Sequence, residues 1–74
     1  MMRFAVYLSP AEEGGFVVTV PALPGCVTQG DSKDEAMLMA ADAIRGYLES
    51  LKKHGEPVPS GDPGILDMVE VEAV

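Results

Sequence analysis

Only a few residues of this sequence are of types that do chemistry, and they lie far apart. Cys26 is the single cysteine and His54 the single histidine. Catalysis by either would need a second group held beside it, such as a base or a carboxylate, and none stands at a recognisable spacing. We interpret Cys26 as a small buried apolar residue of a strand, and His54 as a solvated residue at the C-terminus of a helix.

The carboxylates form adjacent pairs rather than a set of metal ligands. Glu12-Glu13 falls in a turn and Asp34-Glu35 in the first turn of a helix, which are both ordinary solvated positions. One His and one Cys do not make a tetrahedral site, although a weak divalent-ion site at the acidic pairs stays an alternative. The glycines have no nucleotide-binding spacing. The sequence therefore predicts no catalytic residue, no metal site, no cofactor and no enzyme activity.

Charge and hydropathy exclude several classes of partner. The 74 residues carry a formal net charge of −7 and only five Lys and Arg, so direct binding to nucleic acid is not expected. No apolar run reaches the roughly 20 residues of a membrane span, and no secretory leader precedes the first strand. We expect a cytoplasmic protein without membrane contact, whose acidity favours a basic protein partner.

The elements that position these residues follow from turn signals and apolar periodicity. Gly14-Gly15 permits the positive φ of a tight turn, Pro21 ends a strand, and Pro24-Gly25 turns the chain into the next one. Ser32 and Glu35 match a helix capping box. The four predicted strands cover about residues 3–8, 16–20, 26–29 and 65–74. The predicted helix begins after Ser32, ends before Gly55, and has this apolar stripe: Ala36, Ala40, Ala43, Ile44, Tyr47, Leu48 and Leu51.

The resulting order β-β-β-α-β predicts an α+β fold, a two-layer sandwich of one helix on a four-stranded sheet. A helical crossover would place strand 4 parallel to strand 1, giving the strand order 3-2-1-4. One helix covers one face of the sheet, so the other face would be exposed and unusually apolar. We therefore predict an interface of a homo-oligomer or of a partner complex. Its candidate residues are Ala5, Tyr7, Val17 and Thr19 on the sheet and Met37 on the helix.

Two segments of the chain resemble the N-terminal domain of HicB-type antitoxins. They are VPALPGCVTQGDS, at residues 20–32, and AIRGYLESLKKHGEPVP, at residues 43–59. The resemblance implies a partial ribonuclease-H-like fold and a non-enzymatic protein that assembles into dimers or tetramers. It also implies binding and inhibition of a small basic ribonuclease toxin of the HicA type.

Ribonuclease H activity is not implied, because that chemistry needs several carboxylates that converge on two metal ions. The first three predicted strands contain no Asp or Glu, and Asp67 is the one acidic residue early in the fourth. Many HicB antitoxins continue into a DNA-binding domain, whereas we expect residues 1–74 to be a single antitoxin domain without one. The alternatives are an orphan module that self-associates or binds a small ligand, and a hydrolase that uses Asp67.

Overall fold

The computed structural model of the protein describes residues 1–73. In this part of the chain, three strands precede one helix. Their bounds are Tyr7–Pro10 for β1, Phe16–Thr19 for β2, Val27–Gly30 for β3 and Lys33–Lys53 for α1. The strands form an antiparallel sheet in the order β1-β2-β3. The α+β class and the relative order of the first three predicted strands are therefore confirmed.

A glycine turn joins β1 to β2. Gly14 and Gly15 have φ angles of 101° and 74°, which side chains with a Cβ rarely adopt. The amide of Gly14 donates to the carbonyl oxygen of Ala11 at 3.1 Å, and the amide of Ala11 donates to that of Gly15 at 3.0 Å. The turn sets the register in which Pro10 pairs with Phe16 and Tyr7 pairs with Thr19.

Helix α1 begins and ends with the capping groups that the sequence indicates. The hydroxyl of Ser32 accepts from the amide of Glu35 at 3.1 Å, and the Glu35 carboxylate accepts from the amide of Asp31 at 2.8 Å. At the other end Gly55 has a φ of 70°, and the amide of Glu56 donates to the Leu51 carbonyl at 2.9 Å. These last contacts form a Schellman motif, which satisfies the final carbonyl groups of the helix.

The core lies between α1 and one face of the sheet. In one cluster Val18, Ala36 and Ala40 are fully buried, and in the other Val20, Leu23 and Cys26 are. These residue sets confirm the predicted apolar stripe of the helix and the interpretation of Cys26 as a buried apolar residue. Around the clusters pack the half-buried side chains of Phe4, Val6, Leu8, Phe16, Ala43, Ile44, Tyr47 and Leu48. The Tyr47 hydroxyl also donates to the Pro24 carbonyl at 2.8 Å, which fixes the helix to the β2–β3 turn.

The first and fourth predicted strands need correction. Strand 1 was expected at residues 3–8, but β1 is Tyr7–Pro10. Tyr7 pairs with Thr19, the last residue of β2, so residues 3–6 have no β2 residue opposite them. The fourth strand was expected at residues 65–74, of which Val74 lies outside the described residues. Residues 65–73 form no strand, because they extend from the body of the protein and pair with no sheet edge. The four-stranded order 3-2-1-4 and the ribonuclease-H-like fold are therefore not confirmed.

Gly30 is required where β3 meets the first turn of α1, and its replacement by Ala should destabilise the protein. An added Cβ would clash with the backbone nitrogen of Ala36 and lie 2.6 Å from its Cα atom. We expect Gly30→Ala to lower the free energy of unfolding by about 1–3 kcal/mol, as overpacking does. Urea denaturation at a fixed chain concentration measures the change.

Gly46 provides the matched control, because a Cβ added there would meet no atom within 4 Å apart from the neighbouring backbone of its own helix. Gly46 lies inside α1, where Ala is favoured over Gly by about 1 kcal/mol. We expect Gly46→Ala to raise the free energy of unfolding by about that amount. Two Gly→Ala variants with the same sign of effect would contradict the close approach of β3 and α1.

Candidate functional site

The residues that could do chemistry are not assembled into a reactive centre in the described structure. Cys26 is buried, and burial raises the pKa of its thiol, which opposes formation of the nucleophilic thiolate. His54 is exposed, and its Nδ1 atom lies 2.7 Å from the Ser50 carbonyl oxygen, its hydrogen-bond partner. Residues 1–73 contain no group of three or more His, Cys, Asp or Glu placed to hold a metal ion. Exposed surfaces of the described chain are separate candidates for a functional site.

The first surface, here called the outer face, is the side of the sheet that α1 does not cover. The strand register aligns Tyr7, Thr19 and Val27 in one row across all three strands. A second row contains Ser9, Val17 and Gln29. Tyr7 is 54% and Val27 56% exposed. The outer face is thus a flat, largely uncharged surface with an aromatic side chain at one margin.

The structure assembles most of the predicted interface residues but not all of them. Tyr7, Val17 and Thr19 lie together on the outer face, and Ala5 precedes them between Phe4 and Val6, which both pack against the core. Met37 is separate from this group because it belongs to α1, which packs against the opposite side of the sheet.

An exposed apolar patch on α1 surrounds Met37 instead. Its neighbours Leu38 and Met39 are also exposed, Leu38 to 70% of its surface. From the sequence, Leu38 was not identified as a candidate contact residue. The available signal was its position off the apolar stripe of the helix, because a large apolar residue off that stripe cannot reach the core.

The second surface, here called the acidic end, combines two segments that are distant in the sequence. Because Phe16 pairs with both Pro10 and Gly30, the β1–β2 turn and the β3–α1 junction lie at the same end of the sheet. Glu12, Glu13 and Asp31 line one shallow hollow of about 350 Å³ there. Asp34 and Glu35 follow in the first turn of α1. From the sequence, Glu12-Glu13 and Asp34-Glu35 were predicted as two separate solvated pairs, and Asp31 was not singled out.

The acidic end adjoins the outer face. It contains one basic residue of the helix, Lys33 at the start of α1, and lies far from the two at the other end. Val17 and Gln29 line the acidic hollow and also belong to the second row of the outer face. Lys52 and Lys53 are in the last turn of α1, about 30 Å along the helix axis from its first turn. The two surfaces can therefore act as one contact area, with carboxylates at one border and apolar side chains beside them.

The third candidate is the extended segment of residues 65–73, here called the arm. Ile65 is 88%, Met68 86%, Val69 83% and Val71 84% exposed. At its base the amide of Asp62 donates to the Arg3 carbonyl at 2.7 Å, and the amide of Gly64 donates to the Asp62 carboxylate at 2.7 Å. Beside it, the edge of β1 away from β2 has no partner strand among the described residues.

A helix that spans a bilayer needs about 20 predominantly apolar residues. In residues 1–73 no helix is long and apolar enough to cross a bilayer.

Comparisons with known proteins agree on one family for this chain. A family model described as the HicB-like antitoxin of bacterial toxin–antitoxin systems matches residues 4–72. A UPF0150 protein of Thermoplasma acidophilum is 53% identical over 58 residues, which are 78% of this chain and 84% of that protein.

Two similar proteins carry the name of an antitoxin. Antitoxin HicB 1 of Photorhabdus laumondii is 41% identical over 70 residues, or 95% of this chain. Antitoxin HicB of Escherichia coli K12 is 37% identical over 62 residues, or 84% of this chain. In both cases the match covers 45% of the antitoxin, so the chain spans about half the length of these two relatives.

Proposed function

Because the chain belongs to the family of HicB-like antitoxins of bacterial toxin–antitoxin systems, as its motifs predicted, we propose that it binds and inhibits a small basic ribonuclease toxin of the HicA type. The observation that carries this proposal is the family match over residues 4–72, nearly all of the described chain. Inhibition works by occlusion rather than by catalysis. The chain itself needs no metal ion or cofactor for it.

The charge distribution supports a basic partner. A ribonuclease must present Lys and Arg to the phosphates of its RNA substrate. The carboxylates of Glu12, Glu13 and Asp31 at the acidic end can bind these Lys and Arg side chains in place of the RNA phosphates. Opposite charges accelerate encounter and fix the orientation of the complex. We therefore place the acidic end against the RNA-binding side of the toxin.

The outer face supplies the apolar part of the same contact. Tyr7, Val17 and Thr19 lie side by side on neighbouring strands, and aromatic residues are enriched in protein interfaces. Ala5 extends this area towards the N-terminus. Met37 would contact a partner only as part of the separate patch on α1.

The proposal also includes a homo-oligomer, a dimer or a tetramer of this chain. A 74-residue domain buries only about 60% of the surface that its unfolded chain exposes, so self-association is a natural source of stability. This feature also fits the second candidate function, an orphan module that self-associates without a toxin. The presence or absence of a toxin partner distinguishes the two.

Co-expression with a HicA-type toxin, sought as a small basic protein encoded next to this chain, tests the proposal. We expect the two proteins to co-purify as a complex that survives gel filtration at moderate salt. Failure to form a complex, with both proteins folded, would contradict the antitoxin function and favour the orphan module.

Neutralising the acidic end is expected to weaken that complex. For Glu12→Gln/Glu13→Gln we expect the dissociation constant to rise about 5- to 20-fold at low salt, mostly through slower association. The control is Glu49→Gln/Glu56→Gln, which changes the net charge equally at exposed positions away from this end. Stopped-flow or surface-plasmon measurements give both rate constants. Equal effects of the two double variants would show that net charge, and not the acidic end, guides binding.

A further inference from the structure

The described chain exposes more surface than a compact monomer of its size. Its accessible area is 6087 Å², about 1,700 Å² more than the roughly 4,400 Å² expected for a compact protein of 7.8 kDa. Its radius of gyration is 14.1 Å, against about 11 Å for a compact domain of this length. A standard protein interface buries about 800 Å² on each partner, so the excess surface of one chain is more than enough for an interface with a second protein.

The highly exposed arm contributes to this excess, and its sequence has the pattern of a strand. Val69, Val71 and Ala73 alternate with Glu70 and Glu72, a period of two that gives one apolar and one acidic side. An exposed segment of this kind gains hydrogen bonds and apolar burial only when it joins a sheet.

The free edge of β1 offers the complementary site. On that edge alternate backbone groups of β1 point away from β2 and have no strand partner in the described chain. The core residues nearest to the edge are incompletely covered, since Phe4, Val6 and Leu8 are only half-buried against the two clusters. A strand added there, with its apolar side towards α1, would cover them.

At the base of the arm, Ile65 and Leu66 still line a hollow with residues 3–6, but residues 65–73 pair with no strand of their own sheet. Asp62 still contacts Arg3 through the backbone bond, but the turn closed by the Asp62 carboxylate and the Gly64 amide follows at once. Beyond this turn Ile65 is almost fully exposed, although the β1 edge of the same chain is nearby and unoccupied. A short hinge of this kind, with Pro63 at its centre, is typical of elements that are exchanged between protomers.

We propose that the arm of each chain pairs with the β1 edge of a second copy, so that two chains exchange arms in a symmetric dimer. This inference rests on the proposed homo-oligomer and is independent of the toxin. Each sheet then has four strands, the fourth supplied by the partner copy. Glu70 and Glu72 of the incoming arm would lie on the side of the outer face and add carboxylates to its border.

Apolar-to-acidic substitutions in the arm test the exchange. For the unaltered chain we expect sedimentation to give twice the monomer mass of 7.8 kDa. For Val69→Asp/Val71→Asp we expect a monomer, with the dimer dissociation constant raised at least about 100-fold. Leu38→Asp/Val58→Asp, at two exposed positions outside the arm, adds the same charge and should stay dimeric. Circular dichroism of α1 checks the fold of every variant.

Cross-linking identifies which edge the arm occupies. Tyr7→Cys and Glu70→Cys are prepared as separate chains in a Cys26→Ala background and mixed before treatment with a short bismaleimide. A cross-linked pair that contains one chain of each type supports the exchange. No mixed cross-linked pair, together with a cross-link inside a chain that carries both substitutions, would overturn it. A dimer that survives Val69→Asp/Val71→Asp would overturn the exchange and leave the homo-oligomer standing, whereas a monomeric unaltered chain would overturn both.

Discussion

Thr19→Arg is expected to weaken binding of the basic toxin at least about 100-fold, because it places a positive charge in the middle of the first row of the outer face. Thr19 pairs with Tyr7 on one side and with Val27 on the other, so its side chain lies in the middle of the first row. A long cation there would separate the apolar surfaces and repel the Lys and Arg of the toxin. Isothermal titration calorimetry of the purified pair measures the loss.

Ala41→Arg is the matched control for this substitution. Ala41 is exposed on α1, in the layer on the opposite side of the sheet from the outer face, so the same added charge should change the dissociation constant less than about threefold. Arg is a good helix former, and the fold should be kept. If Thr19→Arg binds as tightly as Ala41→Arg, the outer face is not the toxin contact.

Leu23→Ala is expected to have the largest effect on stability, a loss of about 3–5 kcal/mol. Leu23 is 2% exposed and lies in the β2–β3 turn, where its amide donates to the Val20 carbonyl at 3.0 Å and its carbonyl accepts from the Cys26 amide at 3.0 Å. The side chain packs in the second core cluster. Because the turn is tight, its backbone cannot shift to fill the cavity that the substitution leaves. A domain of 74 residues has a free energy of unfolding of about 4–11 kcal/mol, so the variant should lose much or all of it.

Leu38→Ala is the matched control, because it removes the same side-chain atoms at an exposed position. Leu38 keeps 70% of its surface in solvent, so we expect its free energy of unfolding to change by less than about 0.5 kcal/mol. Thermal unfolding of both variants at equal chain concentration makes the comparison, since the stability of an oligomer depends on concentration. Similar melting temperatures for the two variants would contradict the core assignment.

Local sequence signals predicted those parts of the fold that depend on neighbouring residues. Gly14-Gly15, the capping pair Ser32 and Glu35, and Gly55 were sufficient to place the β1–β2 turn and both ends of α1, because each acts through backbone groups a few residues away. The apolar stripe of α1 was likewise predicted, since periodicity reports which side of a helix is buried.

The sequence was a weaker guide wherever the structure depends on distant contacts. The acidic end forms because the strand register brings Glu12 and Asp31 to one end of the sheet, and register is not visible in either segment alone. The arm has the alternation of a strand, but alternation cannot say which edge, or which chain, the strand joins. Residues 65–73 were for that reason assigned wrongly to the sheet of their own chain.

The most direct test of the antitoxin function is a titration of toxin ribonuclease activity with the purified chain. A HicA-type toxin, sought as a small basic protein encoded next to this chain, is incubated with a fluorescently labelled RNA, and the cleavage rate is followed as the chain is added. We expect cleavage to fall to background near stoichiometric amounts, with Thr19→Arg inhibiting only at far higher concentration. Undiminished cleavage at saturating amounts of the folded chain would contradict the proposed function.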